Sequence, residues 1–213
     1  MIKSYSKVIS IFLLFNFFVI FNSNAQINSY IIVKVGGSLI TSIDVQNEII
    51  TNLIVNKLEI NQTNINKSKN YAIKKLINKS IKRNEINKYE VKDYSKKDLK
   101  KYISDIEKNF NTNSDGLREI FTKNNINYNA FVESFETELL WNSLIYILYK
   151  NQLNVNIIEV DNDVEKLKKN KTEEELKEIR KNILNSRKES KLNLFSRSHF
   201  SNLENKTNID FNE

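Results

Sequence analysis

His199 is the sole histidine of the 213 residues, and the chain has no cysteine. Disulfides, zinc–thiolate sites and thiol catalysis are therefore removed together. An imidazole can act as a metal ligand or general base, but no Asp/Glu/His cluster stands at ligand spacing around His199. With Arg197 and Phe200 beside it, it reads as a helix-surface residue. Gly36-Gly37 lacks the third glycine and the lysine of a phosphate-binding loop. The carboxylates between residues 173 and 178 alternate with lysine and read as surface pairs four residues apart rather than as an acid–base couple. The Tyr and Phe stripes at helical spacing are read as core first and as a surface for apolar polypeptides second. No catalytic site is visible, so the expectation is a protein that is not an enzyme and uses no cofactor or metal.

Residues 1–25 read as an export signal. Lys3 and Lys7 form a basic start, residues 8–21 are apolar apart from Ser10 and Asn16, and Ser23-Asn24-Ala25 supplies small residues for cleavage before Gln26. Fourteen residues are too few to cross about 30 Å of hydrocarbon as a helix, so the expectation is a periplasmic protein rather than an integral membrane protein. Without the leader about 188 residues remain, and the formal charge falls from +7 to +5. That charge is spread over mixed-sign helices, which reads as a solvated surface and excludes nucleic acid as a partner. The Asn-X-Ser/Thr triplets at Asn61, Asn66, Asn78, Asn170 and Asn205 follow from the abundance of Asn and mark no glycosylation site.

The elements that would position a binding surface are predicted as follows. Ile31, Ile32, Val33 and Val35 suit a strand, Gly36-Gly37 a two-residue turn, and Thr41 with Asp44 a capping box. Ile43, Ile49, Ile50, Leu53, Ile54 and Leu58 share one face of a helix over 42–59; residues 61–69 read as a polar loop; and Tyr71 to Ile81 mark a second helix ending at Lys82-Arg83-Asn84-Glu85. Ser95 and Asp98 form a capping box ahead of Leu99, Tyr102, Ile103, Ile106 and Phe110, and Ser114 caps a short helix ending near Asn124-Asn125. A strongly apolar helix spans 128–151, and residues 155–160 form a short strand or connector. Residues 161–172 are by composition a charged linker, either solvated or an exposed helix. A Thr172/Glu175 box opens a helix over 173–203, and Ile209–Phe211 is a terminal strand. The narrow apolar stripe of helix 173–203 needs a partner, and docking on the N-terminal helices would bury Ile179, Ile183 and Leu194.

This order of parts resembles the SurA family, periplasmic chaperones of outer-membrane proteins. The resemblance is carried by IIVKVGGSLITSIDV, by DGLREIFTKNNINYNAFVESFETELLWNSLI and by the connector VNIIEV, which together are similar to that family's N-terminal domain over residues 26–160. Its most specific part is the short helix from Leu117, the Asn-rich turn with Tyr128, and Phe131, Phe135 and Leu139 spaced four apart. Residues 173–213, with EIRKNILNSRKESK and NIDF, resemble the family's C-terminal segment, which packs back on the N-terminal domain. The resemblance implies a mainly α fold with a small N-terminal hairpin and a C-terminal helix and strand returning to it. The chain departs from the family in having only the linker 161–172 where most members carry parvulin prolyl-isomerase domains. Neither the length nor the residues of a parvulin site are present.

The reading is an ATP-independent holdase without isomerase activity that binds unfolded outer-membrane polypeptides. Their strands carry apolar side chains at every second position, and a shallow apolar crevice can hold these without reading sequence. Its expected lining is Ile50, Leu53, Ile54 and Leu58 of the first helix with Leu76 and Ile77 of the second. Contact with the outer-membrane barrel-assembly machinery is left open. The alternative is an exported structural or adaptor subunit that binds one fixed partner through its helices.

Overall fold

Strands β1 (Ile31–Val35) and β2 (Ser38–Thr41) form an antiparallel hairpin with Val35 opposite Ser38, so the loop is the two residues Gly36 and Gly37. The turn uses positive φ only at Gly36 (55°). A bulge between Ile31 and Val33 shifts the register, and Val33, Val35 and Ile40 turn to one buried face. The computed structural model describes residues 29–212, so the expected leader and its cleavage point lie outside the described residues.

Helix α1 (Ser42–Val55) starts on the expected capping box: Thr41 Oγ1 accepts from the Asp44 N–H at 3.2 Å, and the Asp44 carboxylate accepts from the Thr41 N–H at 2.8 Å. It ends four residues before the periodicity predicts. Lys57 takes the left-handed conformation (φ 54°), its N–H bonds Ile54 O, and the Leu58 N–H bonds Leu53 O, both at 2.8 Å. That pair of bonds is the Schellman closure. The same closure ends α2 (Gln62–Lys88), α3 (Lys96–Asn109) and α4 (Ser114–Lys123), with Glu90, Asn111 and Asn125 at the left-handed position.

Four expectations are corrected here. Residues 61–69 are not a loop. Asn61 caps α2 by accepting from the Asn64 N–H at 2.9 Å, and Ile65 extends the helix's apolar face, so no breaking residue interrupts it. The helix also runs past Glu85, because Ile86 still has a buried position to fill. Residues 155–160 are neither strand nor simple connector: Asn156 caps helix α6 (Ile157–Lys166), and Val160 anchors it at full burial. Helix α4 is capped by Asn113 rather than Ser114, whose hydroxyl donates instead to Glu107. Of the Ser95/Asp98 box, the bond from the Asp98 N–H to Ser95 Oγ is in place at 3.2 Å.

Helix α5 (Tyr128–Tyr149) runs into a single 3-10 turn (Lys150–Gln152), and α7 (Glu173–Glu204) opens on the Thr172/Glu175 box. After α7, β3 (Ile209–Phe211) pairs antiparallel with β1, giving the sheet order β2-β1-β3. The Gly36 N–H donates to Asn208 O at 2.9 Å and the Asn212 N–H to Ile32 O at 3.0 Å, tying both ends of β3 to the hairpin. The described chain is thus seven α-helices with a small three-stranded antiparallel sheet, and residues from Ile31 onward form one compact unit.

Three apolar clusters fill it. The first packs Val33, Val35 and Ile40 against α1 and α2; the second gathers Ile54, Ile106, Leu117, Phe121 and Phe131; and the third is Ile86, Trp141, Leu144 and Ile145. Phe200 and Leu203 of α7 pack on both the first and the third. Docking of the C-terminal helix is therefore made by Leu192, Phe195, Phe200 and Leu203. Of the three residues expected at this seam, Leu194 is 63% exposed, and Ile179 and Ile183 are half-buried outside the three clusters. Helix α5 packs against the C-terminal half of α7 through Leu192, Phe195, Phe200 and Leu203. The N-terminal half lies along α6, held by Arg180 to Asp161 and by Arg187 to Glu159 and Asp163 at 2.5–2.7 Å.

Candidate functional site

The six residues expected to line a client crevice do not converge. Leu53 and Ile77 are buried in the first cluster and Ile54 in the second. Ile50 is half-buried against the second cluster, and Leu58, beyond the end of α1, is 51% exposed. Leu76 is half-buried and faces a cleft.

That cleft, about 240 Å³, lies between α1, α2, α3 and α5. Its apolar wall is the Tyr102 ring stacked on Phe135, with centroids 3.6 Å apart and planes 8° from parallel, and Phe131 beside it. Burial raises the Tyr102 phenol above its ordinary pKa. The opposite wall is charged. Glu48, 8% exposed, sits at 2.5 Å from the Lys75 ammonium. Lys79, one turn along α2, is also half-buried; desolvation first, and then repulsion from Arg83, hold its pKa below the usual lysine range. Tyr102 was read as core, whereas Glu48, Lys75 and Lys79 were missed. Their signal was a carboxylate between Val45 and Ile49 on the apolar stripe of α1, and two lysines four apart flanking Leu76.

A second polar group lies beneath α7 and corrects the surface reading of His199. Its side chain is 16% exposed, with Nε2 at 3.3 Å from the buried Glu85 carboxylate and Nδ1 at 2.9 Å from the Tyr149 hydroxyl. Trp141 lies against it, and the indole N–H donates to Ser196 Oγ at 2.8 Å. The Lys82 ammonium stands 5.8 Å from the ring centroids of both Trp141 and Phe200, and it pairs with Glu138 at 2.5 Å. These groups join α2, α5 and α7, and fasten the returning helix. Of the carboxylates at 173–178, Glu175 lies 3.8 Å from Lys171 in the expected i,i+4 relation.

Exposed apolar side chains outside the cleft include Tyr71, Tyr146, Ile147, Ile158 and Phe211. Among the described residues no helix is long and apolar enough to cross a membrane, and no group of three or more His, Asp or Glu is placed to hold a metal ion. No protein-family model and no curated protein matches the chain.

Proposed function

We propose that this protein is an exported holdase chaperone of the SurA core type, binding unfolded outer-membrane polypeptides in the periplasm without ATP, metal or prolyl-isomerase activity. The observation that carries the reading is the return of the C-terminal segment: α7 covers Trp141 and Leu144 of α5, and β3 adds to the hairpin strand β1. The resemblance implies that arrangement for a SurA core whose parvulin insert has been reduced to a connector. Exposed aromatic and aliphatic side chains on several faces supply weak apolar contacts, which suit a holdase better than a single sequence-reading groove.

Two assays on protein from the native envelope test the reading. Affinity capture should recover several different barrel polypeptides at variable, substoichiometric amounts; one partner at fixed stoichiometry would indicate the adaptor reading instead. A model prolyl peptide, whose cis/trans exchange takes tens to hundreds of seconds uncatalysed, should exchange no faster with the protein present. Recovery of the mature chain beginning at Gln26 in the soluble periplasmic fraction is the expected location.

A further inference from the structure

We propose that the cleft between α1, α2, α3 and α5 binds an aromatic carboxylate, its carboxylate held by Lys79 and its ring seated against the Tyr102–Phe135 pair. Each charged side chain around the cleft has a close hydrogen-bond or ion-pair partner, with one exception. Glu48 is paired with Lys75, Glu138 with Lys82, and the Asp44 carboxylate is taken up in the capping box with Thr41. Arg83, which repels Lys79, is itself paired with Glu133. Lys79 has only longer-range attraction to Glu48 and Asp44 and forms no ion pair among the described residues. A half-buried ammonium without a partner carries an uncompensated desolvation cost, which an incoming anion would offset.

The other walls define which anion. The stacked rings present an apolar face that inorganic phosphate or sulfate would not use, whereas a second aromatic ring can pack against it. Three carboxylates line the cleft, so a dianion would meet more repulsion than a single free ammonium can balance. At about 240 Å³ the space falls below the ~300–1,000 Å³ of pockets for drug-sized ligands, so one ring and one carboxyl group fill it. Such a group is supplied by a small aromatic acid or by the C-terminal residue of a peptide. Recognition here is separate from the holdase reading, because it asks for a chain end or a free acid and not for an unfolded segment.

The test is titration calorimetry of the full chain with 3-phenylpropionate, and with a hexapeptide ending in phenylalanine as the free acid or as the amide. The expected result is binding of 3-phenylpropionate that Lys79→Met weakens at least about tenfold, the scale of one charge-assisted contact, and that Lys79→Arg retains. Lys79→Met keeps the aliphatic stem and should melt no lower than the unsubstituted protein, so a lost signal is not lost folding. If the peptide acid binds at least about tenfold tighter than its amide, the ligand is a chain end; if 3-phenylpropionate binds and the two peptides do not differ, it is a free acid. Absence of 3-phenylpropionate binding, or binding unchanged in Lys79→Met, overturns the proposal. Neither result bears on aggregation of barrel proteins, so failure here and failure of the holdase reading are distinguishable.

Discussion

Replacing Phe200 by Ala tests whether the C-terminal helix is held by the Trp141 seam. Phe200 is half-buried, packs on two of the three apolar clusters, and meets the Trp141 ring edge-on with centroids 6.1 Å apart. A fully buried Phe→Ala change costs about 3–5 kcal/mol, so half burial sets the packing loss near 2 kcal/mol. The edge-on ring contact adds about 0.5–1.5 kcal/mol and the Lys82 ammonium about 0.5–1 kcal/mol. The total is about 3–4.5 kcal/mol, or a fall in Tm of roughly 6–18 °C for a domain of this size. Trp141 is the sole tryptophan and 2% exposed, so its fluorescence reports this seam during urea or thermal unfolding. Leu194→Ala, on the same helix but outward, is the control and should cost no more than about 0.5 kcal/mol. Equal destabilisation by the two substitutions would refute the seam as the attachment of α7.

Glu90 closes α2 in the left-handed conformation and is exposed, so Glu90→Gly should raise stability by about 0.5–1 kcal/mol, measured by urea unfolding. Gly36→Ala should cost about 1–2 kcal/mol because φ is 55° there, while Gly37→Ala, where an added Cβ meets nothing within 4 Å, should be neutral; their melting temperatures decide it. Hydrogen bonds from Lys166 first, and then Arg187, hold the Asp163 carboxyl below its ordinary pKa. Pairing of α6 with α7 is therefore stabilising at neutral pH and is lost as pH falls below about 4 through that lowered value. The urea midpoint should drop in that window, and by less in Asp163→Asn.

The elements legible in the sequence were those with a clear period, a turn signal or a cap: the hairpin, the Thr41/Asp44 and Thr172/Glu175 boxes, α5, α7 and the terminal strand. Helix ends were less legible, because the usual mark is a glycine and here Lys57, Glu90, Asn111 and Asn125 take the left-handed position instead. Asn is a poor interior helix former, which made residues 61–69 read as a loop until the Asn61 cap and the tertiary position of Ile65 outweighed local preference. The stripe of α7 was visible, but which part of it is covered depends on where α5 and α6 cross it. For that reason Ile179, Ile183 and Leu194 were named instead of Leu192, Phe195 and Phe200. The cleft was the least legible feature, since Glu48, Lys79 and Tyr102 come from three helices and no local pattern brings them together. His199 failed in the same way: its partners Glu85 and Tyr149 lie 114 and 50 positions away in the chain.

Light scattering of denatured outer-membrane barrels diluted into buffer tests the holdase reading most directly. At near-stoichiometric amounts, and with neither ATP nor metal added, the protein should delay aggregation of several barrels unrelated to one another in sequence. Suppression confined to one polypeptide, or no effect on any of them, would contradict it.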